Sequence, residues 1–221
     1  MARFPRSSAR DAWAHKASGF ALQTLVGGIR QTGDMRTLEE DRLLAQECVG
    51  MLDRRWAHVR GVGRTAEQLA ALSHLVTEVV VRAAWLHDVG YGPDIQSSGF
   101  HALDGARYLA KLGVDPGVVS LVAFHTGATY EAKERQLSAE LAEFEEPDPS
   151  DLDLLTLIDL GTSPDGAPIV DSVRLDEVLR RYQSNDPVAR AVGRSKPSLL
   201  AASRRAKERL GLPDDWPVCS R

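Results

Sequence analysis

Residues 79–92, VVVRAAWLHDVGYG, decide how the rest of the chain is interpreted. The apolar run at their start predicts a helix over residues 78–88, and the glycines that follow, together with Pro93, end it. His87 and Asp88 therefore stand side by side at the C-terminal end of an apolar helix. An imidazole and a carboxylate are both side chains that bind metals, so this pair is the first candidate for a functional site.

The rest of the chain shows helical spacing almost throughout, and alternating strand patterns are nearly absent. Thr37, with Glu40 three residues later, forms the capping box of a first helix, and Pro116 suits the first turn of another. The spacing therefore predicts an all-α fold, a compact multi-helix domain. Its eight or nine helices are expected at residues 37–52, 54–72, 78–88, 100–112, 116–125, 137–144, 151–160, 176–183 and 196–210.

The composition excludes several classes of protein. The 221 residues are 43% hydrophobic and 26% charged, as in a globular protein. No apolar run approaches the ~18–20 residues of a membrane-spanning helix, so no membrane partner is expected. A net charge of −4 is not the footprint of a nucleic-acid-binding protein. The two cysteines, Cys48 and Cys219, are too few for a disulfide framework and are typical of a cytoplasmic protein.

Basic residues are concentrated at the N-terminus. Residues 1–36 carry six basic and two acidic side chains, a net +4, so the other 185 residues carry −8. An Arg-rich, acid-poor start is typical of targeting peptides, but the most apolar stretch here, residues 20–26, is short and contains polar side chains. We therefore expect residues 1–36 to be an N-terminal arm or first helix, followed by one domain over residues 37–221.

Two further polar side chains are candidates for the same site as His87 and Asp88. His58 precedes His87 by 29 residues, one helix earlier, and Asp159 follows Asp88 by 71 residues within the apolar sequence LLTLIDLG. A carboxylate among such neighbours is costly to bury without a partner, and a bound cation would remove that cost. The four side chains form a nitrogen–oxygen ligand set that suits Mn, Fe, Co, Ni, Zn or Mg without selecting among them.

The order of these residues resembles the HD superfamily of metal-dependent phosphohydrolases, which has an all-α fold. The motif of that family is a histidine, a His-Asp pair and a distal aspartate, which match His58, His87, Asp88 and Asp159 in order. The likeness extends to GFHALDGARYLAKLG, VAFHTGATYEAKERQLSAEL and LIDLGTSPDG, covers roughly residues 37–210, and is similar to a little-characterised bacterial subgroup. It implies a divalent metal ion held by these four side chains, with Asp88 also acting in catalysis.

His101 and His125 lie where some HD proteins place ligands for a second metal. In the binuclear HD-GYP branch, histidines in similar contexts complete a two-metal centre. This chain has one histidine, in the sequence FHT, where that branch has two, and it lacks the GYP triplet. The alternatives are a second metal site or contacts to the substrate phosphate, and either histidine, or bulk water, would protonate the leaving group. His15 and His74 are expected to be surface or packing residues.

The resemblance implies hydrolysis by metal-activated water, without a protein nucleophile. In agreement, the sequence has no G-x-S-x-G elbow and no P-loop. A small phosphorylated substrate would also need cationic side chains, and guanidinium groups suit phosphate oxygens. The arginines near the motifs are the substrate-binding candidates: Arg60, Arg64, Arg135 and Arg174.

The sequence therefore predicts a metal-dependent phosphohydrolase of the HD type, a phosphomonoesterase or phosphodiesterase, that acts on a small phosphate ester such as a nucleotide. Two alternatives stay open. One is a di-iron HD-type oxygenase, which requires the full binuclear ligand set. The other is a non-catalytic HD regulator that binds a metal or a nucleotide and does not turn it over.

Overall fold

A computed structural model describes residues 36–218 of the chain. Within that range the secondary structure is helical, and the only strand-like pairing is an isolated bridge between Thr162 and Pro168. The predicted all-α fold is confirmed. The predicted arm falls outside the described residues, apart from Arg36 at its end. None of the described helices combines the length and the apolar character that crossing a bilayer requires.

Ten α-helices follow one another along residues 36–218, and the first begins with the predicted capping box of Thr37 and Glu40. Short 3₁₀ turns occupy Val89–Tyr91 and His125–Gly127. The helices are α1 (Leu38–Val49), α2 (Asp53–Leu72), α3 (Glu78–Leu86), α4 (His101–Lys111), α5 (Pro116–Phe124), α6 (Ala128–Arg135), α7 (Ser138–Leu141), α8 (Pro149–Leu160), α9 (Asp171–Arg181) and α10 (Pro187–Leu210).

Helices α6, α9 and α10 differ most from the prediction, and α9 begins at Asp171, five residues earlier than expected. The sequence predicts no helix at α6, whose residues are mostly polar. This helix begins directly after a kink at which Thr126 and Gly127 have φ values of 40° and 83°. Helix α10 begins nine residues earlier than expected and runs through Pro197. The proline removes one backbone hydrogen bond, and packing of α10 against α6, α8 and α9 offsets that loss.

Helix α3 lies at the centre of the fold. Every residue from Val80 to Leu86 is buried, and α1, α2, α5 and α8 pack around it. A helix that is apolar on all sides is stable in such surroundings. Arg82 interrupts its apolar sequence, and the buried Arg82 Nε donates to Asp41 Oδ2 on α1 at 2.6 Å. His87 and Asp88, which directly follow α3, therefore lie in the interior of the fold.

The turn after α3 lies directly against the first turn of α4. A Cβ atom at Gly90 would lie 1.9 Å from the carbonyl oxygen of His101 and 2.7 Å from the amide nitrogen of Gly105. Gly105 faces the same contact, since a Cβ atom there would lie 3.1 Å from the amide nitrogen of Gly90 in the 3₁₀ turn. This close approach brings His101, the first residue of α4, beside Asp88.

Gly90→Ala should disrupt this contact, because the carbonyl group of His101 cannot move aside without moving α4. We expect the free energy of unfolding, measured by urea denaturation, to fall by about 2 kcal/mol or more. Gly193→Ala is the matched control, since a Cβ there meets nothing within 4 Å on the exposed side of α10 and alanine favours a helix. An equal loss of stability in both variants would contradict the importance of the close approach.

Candidate metal centre

The four side chains predicted as metal ligands come together at the C-terminal end of α3. His58 Nε2 lies 3.0 Å from Asp159 Oδ1 and 3.4 Å from His87 Nε2, and His87 Nε2 lies 3.3 Å from Asp88 Oδ2. His58, His87 and Asp159 are buried, and each offers one ligand atom within 4.8 Å of the others. Three segments, α2, the end of α3 and α8, therefore supply the side chains of this first group.

His101 and His125 form a second group with Asp88. His101 Nε2 lies 3.2 Å from His125 Nε2 and 3.5 Å from Asp88 Oδ1, and His125 Nε2 lies 3.9 Å from the same oxygen. Asp88 therefore presents Oδ1 to this group and Oδ2 to the first. Of the two alternatives for His101 and His125, the geometry favours ligation of a second metal, because both Nε2 atoms turn towards the shared carboxylate.

Backbone carbonyl groups orient three of the imidazoles. His87 Nδ1 lies 2.9 Å from the carbonyl oxygen three residues earlier, and His125 Nδ1 makes the same contact at 2.7 Å. His58 Nδ1 lies 3.1 Å from the carbonyl oxygen of Ser163, 105 residues later in the chain. Each Nδ1 therefore carries a proton and donates it, which leaves the Nε2 lone pair directed into the centre.

These orientations place hydrogen-bond acceptor atoms next to one another, which is electrostatically unfavourable. The Nε2 atoms of His58 and His87 face each other and the carboxylates of Asp88 and Asp159. Burial acts to lower the pKa of His87, but the charge of Asp88, a hydrogen bond with Asp88 and the charge of Asp159 together outweigh it and raise the pKa to about 9, so a proton relieves part of the conflict. A divalent cation would relieve it fully, and imidazoles with carboxylates are donors that such cations take. The residues therefore fit a divalent metal.

The surroundings keep the other groups in forms that bind metals. Burial lowers the pKa of His101 to about 3, and burial with the charge of His87 lowers the pKa of His125, so both imidazoles are neutral. Burial acts to raise the pKa of Asp88, but the charges of Arg55 and His87 outweigh it and hold that pKa well below its usual range. Neutral imidazoles and ionised carboxylates are the protonation states that metal ligation requires.

Arg55 contacts this centre and was not identified by the sequence analysis. Its Nη1 donates to Asp88 Oδ2, and its guanidinium carbon lies 3.9 Å from the centre of the Tyr91 ring. Tyr91 also stacks on His101, with ring centroids 4.2 Å apart and planes 18° apart. Arg55 and Tyr91 therefore fix the bridging carboxylate and one imidazole of the second group.

Thr126 is a second residue that the sequence analysis missed. Its Oγ1 donates to Asp159 Oδ2, while His58 contacts Oδ1, so both oxygens of Asp159 are engaged. Burial acts to raise the pKa of Asp159, but the hydrogen bond with His58 and the charges of His87 and His58 together outweigh it and lower that pKa. Thr126 has a φ of 40°, a left-handed conformation that non-glycine residues seldom adopt and that often marks functional sites. Its position directly after the candidate ligand His125 is the sequence feature that could have indicated its proximity to the centre.

Five of the six candidate ligands, all except His87, line a cavity of about 110 Å³. This volume is below the ~300–1,000 Å³ of sites that enclose a drug-sized molecule, so the cavity suits a small ligand or one end of a larger one. Helix α9 contributes Arg174 and Arg181 to the lining, and α6 contributes Glu131. Apolar side chains that include Val178 and Val188 complete it. The cavity therefore offers cationic groups and apolar surface beside the candidate metal centre.

Of the four arginines predicted to bind the substrate, Arg174 lines this cavity. Arg60 and Arg64 are exposed and line a different cavity. Arg135 does not line the metal-centre cavity, but its Nε donates to Glu131 Oε1 at 2.7 Å. The structure therefore brings one predicted arginine to the centre directly and a second through a carboxylate.

Helix geometry explains where the arginines of α2 point. At about 100° per residue, Arg60 and Arg64 lie about 200° and 240° around α2 from His58. Arg54 and Arg55, four and three residues before His58, lie within about 60° of it on the same helix. The side chains on the face of His58 are therefore the arginines that precede it in the sequence, and helical spacing applied to this segment would have identified them.

Comparison with known families identifies the arrangement. A model of the HD domain matches residues 55–160, a segment that begins at Arg55 and ends one residue after Asp159. Residues 55–160 are an HD domain. No curated protein and no solved structure shows a significant match to it.

The HD match contains all six candidate ligands and ends before α9 and α10. Arg174 and Arg181 therefore reach the metal-centre cavity from a part of the chain beyond the HD match. His74 is exposed, as predicted for a surface residue, and His15 lies outside the described residues. The HD superfamily is one of metal-dependent phosphohydrolases, which agrees with the ligand set found here.

The two ligand groups predict the metal content of variants. Full-length protein loaded with Mn²⁺ should hold two equivalents per chain, one for each group. His101→Ala should hold one equivalent, because only the second group loses a ligand. His87→Ala should lose the metal of the first group, and Asp88→Ala should lose the metal of both groups. Elemental analysis after gel filtration measures the content, and far-UV circular dichroism should show that the helices persist.

His74→Ala is the control for these variants, since it removes an exposed imidazole and should keep both equivalents. One equivalent in the unmodified protein, unchanged by His101→Ala, would place His101 outside the metal centre. Full retention of metal by Asp88→Ala would contradict the assignment of the bridging carboxylate.

Proposed function

We propose that this HD protein hydrolyses small phosphate esters, with nucleotides among the candidate substrates, by means of water activated by a divalent metal. The observation that carries the proposal is the joining of two ligand groups through Asp88 in a cavity that Arg174 and Arg181 also line. When bound, the metal supplies a Lewis acid that lowers the pKa of water and polarises a phosphoryl oxygen.

The chain's own side chains prepare the centre for that chemistry. Arg55 holds Asp88 ionised and fixes one of its oxygens, and Thr126 fixes an oxygen of Asp159 on the other side. Because such partners set the orientation of the ligands, their loss commonly weakens metal binding or activity by about 10–100-fold. Arg174 and Arg181 supply the guanidinium groups that suit the oxygens of a phosphate ester.

Glu131 is suited to protonate the leaving group. The Nε2 atoms of His101 and His125 face Asp88, which supports metal ligation by these imidazoles over proton donation. Glu131 lines the same cavity, and burial raises the pKa of its carboxyl group despite a hydrogen bond from Arg135. A carboxyl group whose pKa lies closer to neutral pH is a better general acid.

The complete second ligand group also meets the requirement of the oxidative alternative, a di-iron oxygenase. The arginines of α9 favour a phosphate ester, because a guanidinium fork matches phosphate oxygens. Iron content and oxygen consumption distinguish the two functions, since hydrolysis consumes no oxygen. A cytoplasmic location and the absence of nucleic-acid and membrane partners stay predictions from the sequence.

Phosphate release tests the proposed function. The Mn²⁺-loaded full chain should release phosphate from members of a panel of nucleotides and sugar phosphates. His87→Ala and Asp88→Ala should lower the rate by at least about 1,000-fold, since they remove the source of activated water. His74→Ala should keep the unmodified rate. Turnover that persists in both ligand variants, or none on any phosphate ester by a fully loaded protein, would overturn the proposal.

Glu131→Gln tests the proton donor through the leaving group. The variant should slow hydrolysis of alkyl phosphates by about 100-fold and leave 4-nitrophenyl phosphate nearly unaffected, because nitrophenolate departs without a proton. Glu140→Gln, the same change on α7 outside the cavity lining, is the matched control and should alter neither rate. Equal slowing of both esters by Glu131→Gln would contradict a role in protonation.

A further inference from the structure

A second cavity adjoins the metal-centre cavity, and arginine dominates its lining. Its lining residues are Arg54, Arg55, His58, Pro164, Arg174 and Arg181. Four of the six are arginines, and none is a carboxylate. We call this space the arginine cavity. A concave site walled in this way is suited to an anion, because each guanidinium presents five N–H donors and no acceptor.

Two helices build the arginine cavity. Arg54 and Arg55 begin α2, just before the ligand His58, and Arg174 and Arg181 stand seven residues apart on one face of α9. The start of α9 is tied to α10 by Asp171, whose Oδ2 accepts from Lys207 Nζ at 2.8 Å and from Ser203 Oγ at 2.6 Å. The arginines of α9 are therefore carried on an anchored helix.

Carboxylates accept hydrogen bonds from these guanidinium groups but do not engage every guanidinium N–H donor. Glu177 accepts from both Arg174 and Arg181, one at each oxygen, and so spans the two. Arg54 Nε donates to Asp165 Oδ1 at 3.1 Å, and Arg55 donates to the bridging carboxylate of the metal centre. Four cationic side chains thus meet three carboxylates, and one of those carboxylates belongs to the metal centre.

The arginine cavity and the metal-centre cavity share four lining residues: Arg55, His58, Arg174 and Arg181. An anionic group in the arginine cavity would therefore lie next to a phosphate at the metal centre. The apolar lining residues, such as Val178 and Val192, belong to the metal-centre cavity alone. The two cavities therefore suit different ligand groups: the arginine cavity suits an anion, and the metal-centre cavity also has apolar surface.

We propose that the arginine cavity binds a second anionic group of the substrate, so that the protein prefers small phosphate esters that carry another phosphate or a carboxylate. This inference rests on the proposed function, which supplies the phosphate at the metal centre. Arg54 is the residue that separates the two roles, because it lines the arginine cavity and not the metal-centre cavity.

Binding of three non-hydrolysable phosphonates with the same three-carbon chain tests the inference without turnover. Propylphosphonate carries one anionic group, 4-phosphonobutyrate adds a carboxylate, and propane-1,3-bisphosphonate adds a second phosphonate. Calorimetric titration of the Mn²⁺-loaded full chain should show at least one of the two doubly anionic compounds binding about tenfold more tightly than propylphosphonate, the gain expected of charge-assisted hydrogen bonds. The tighter of the two identifies the second group.

Arg54→Gln and Arg181→Gln should each reduce that preference to about threefold or less, because each removes cationic donors from the arginine cavity. Arg54 is 68% exposed at its side chain, so its replacement does not threaten the fold. Arg60→Gln is the matched control on the same helix, where the guanidinium lies over Trp56 and outside both cavities, and it should keep the full preference.

Equal binding of the three phosphonates by the unmodified protein would overturn the inference, and so would a preference that survives both Arg54→Gln and Arg181→Gln. These outcomes are separate from failure of the proposed function. The protein could prefer the doubly anionic compounds and still release no phosphate from any ester. That result would support the arginine cavity as an anion-binding site and would contradict the proposed hydrolysis.

Discussion

The rest of the structure depends on the carboxylate of Asp88, whose two oxygens face two different groups of ligands. A buried carboxylate is costly unless it is paired, and Arg55 with the surrounding imidazoles provides the pairing. Each neighbouring element is positioned to make that possible. Helix α3 ends where the side chain must enter the interior, and the close contact at Gly90 brings α4 within reach.

The sequence was sufficient to predict the all-α fold and the side chains that converge at the end of α3, because the helices and the individual polar residues each carry a local signal. Helical spacing marks each amphipathic segment, and a buried carboxylate such as Asp159 stands out in an apolar sequence. The family resemblance supplied the order in which distant ligands belong together. It also drew attention to His101 and His125, and the structure shows that they meet at the shared aspartate.

Other parts of the centre depend on rotation and packing that a linear pattern does not display. Arg60 and Arg64 follow His58 closely in sequence and yet point away from it, while Arg55 faces the same way as the ligand. Thr126 reaches Asp159 only because the backbone kinks between α5 and α6. The start of α10, by contrast, carries a local signal that the prediction overlooked, because Asp186 caps Pro187–Leu210 by accepting from the amide of Val188.

The division of the cavity walls between two stretches of chain has a consequence for how such a protein can be altered. The candidate metal ligands all fall within residues 55–160, whereas Arg174 and Arg181 come from the helix that follows. Grafting a different C-terminal segment onto the same HD domain after Ser163, whose carbonyl group contacts His58, would exchange Arg174 and Arg181 and keep the candidate metal ligands. Chimaeras joined between Ser163 and α9 would thus change the arginine cavity separately from the candidate metal centre.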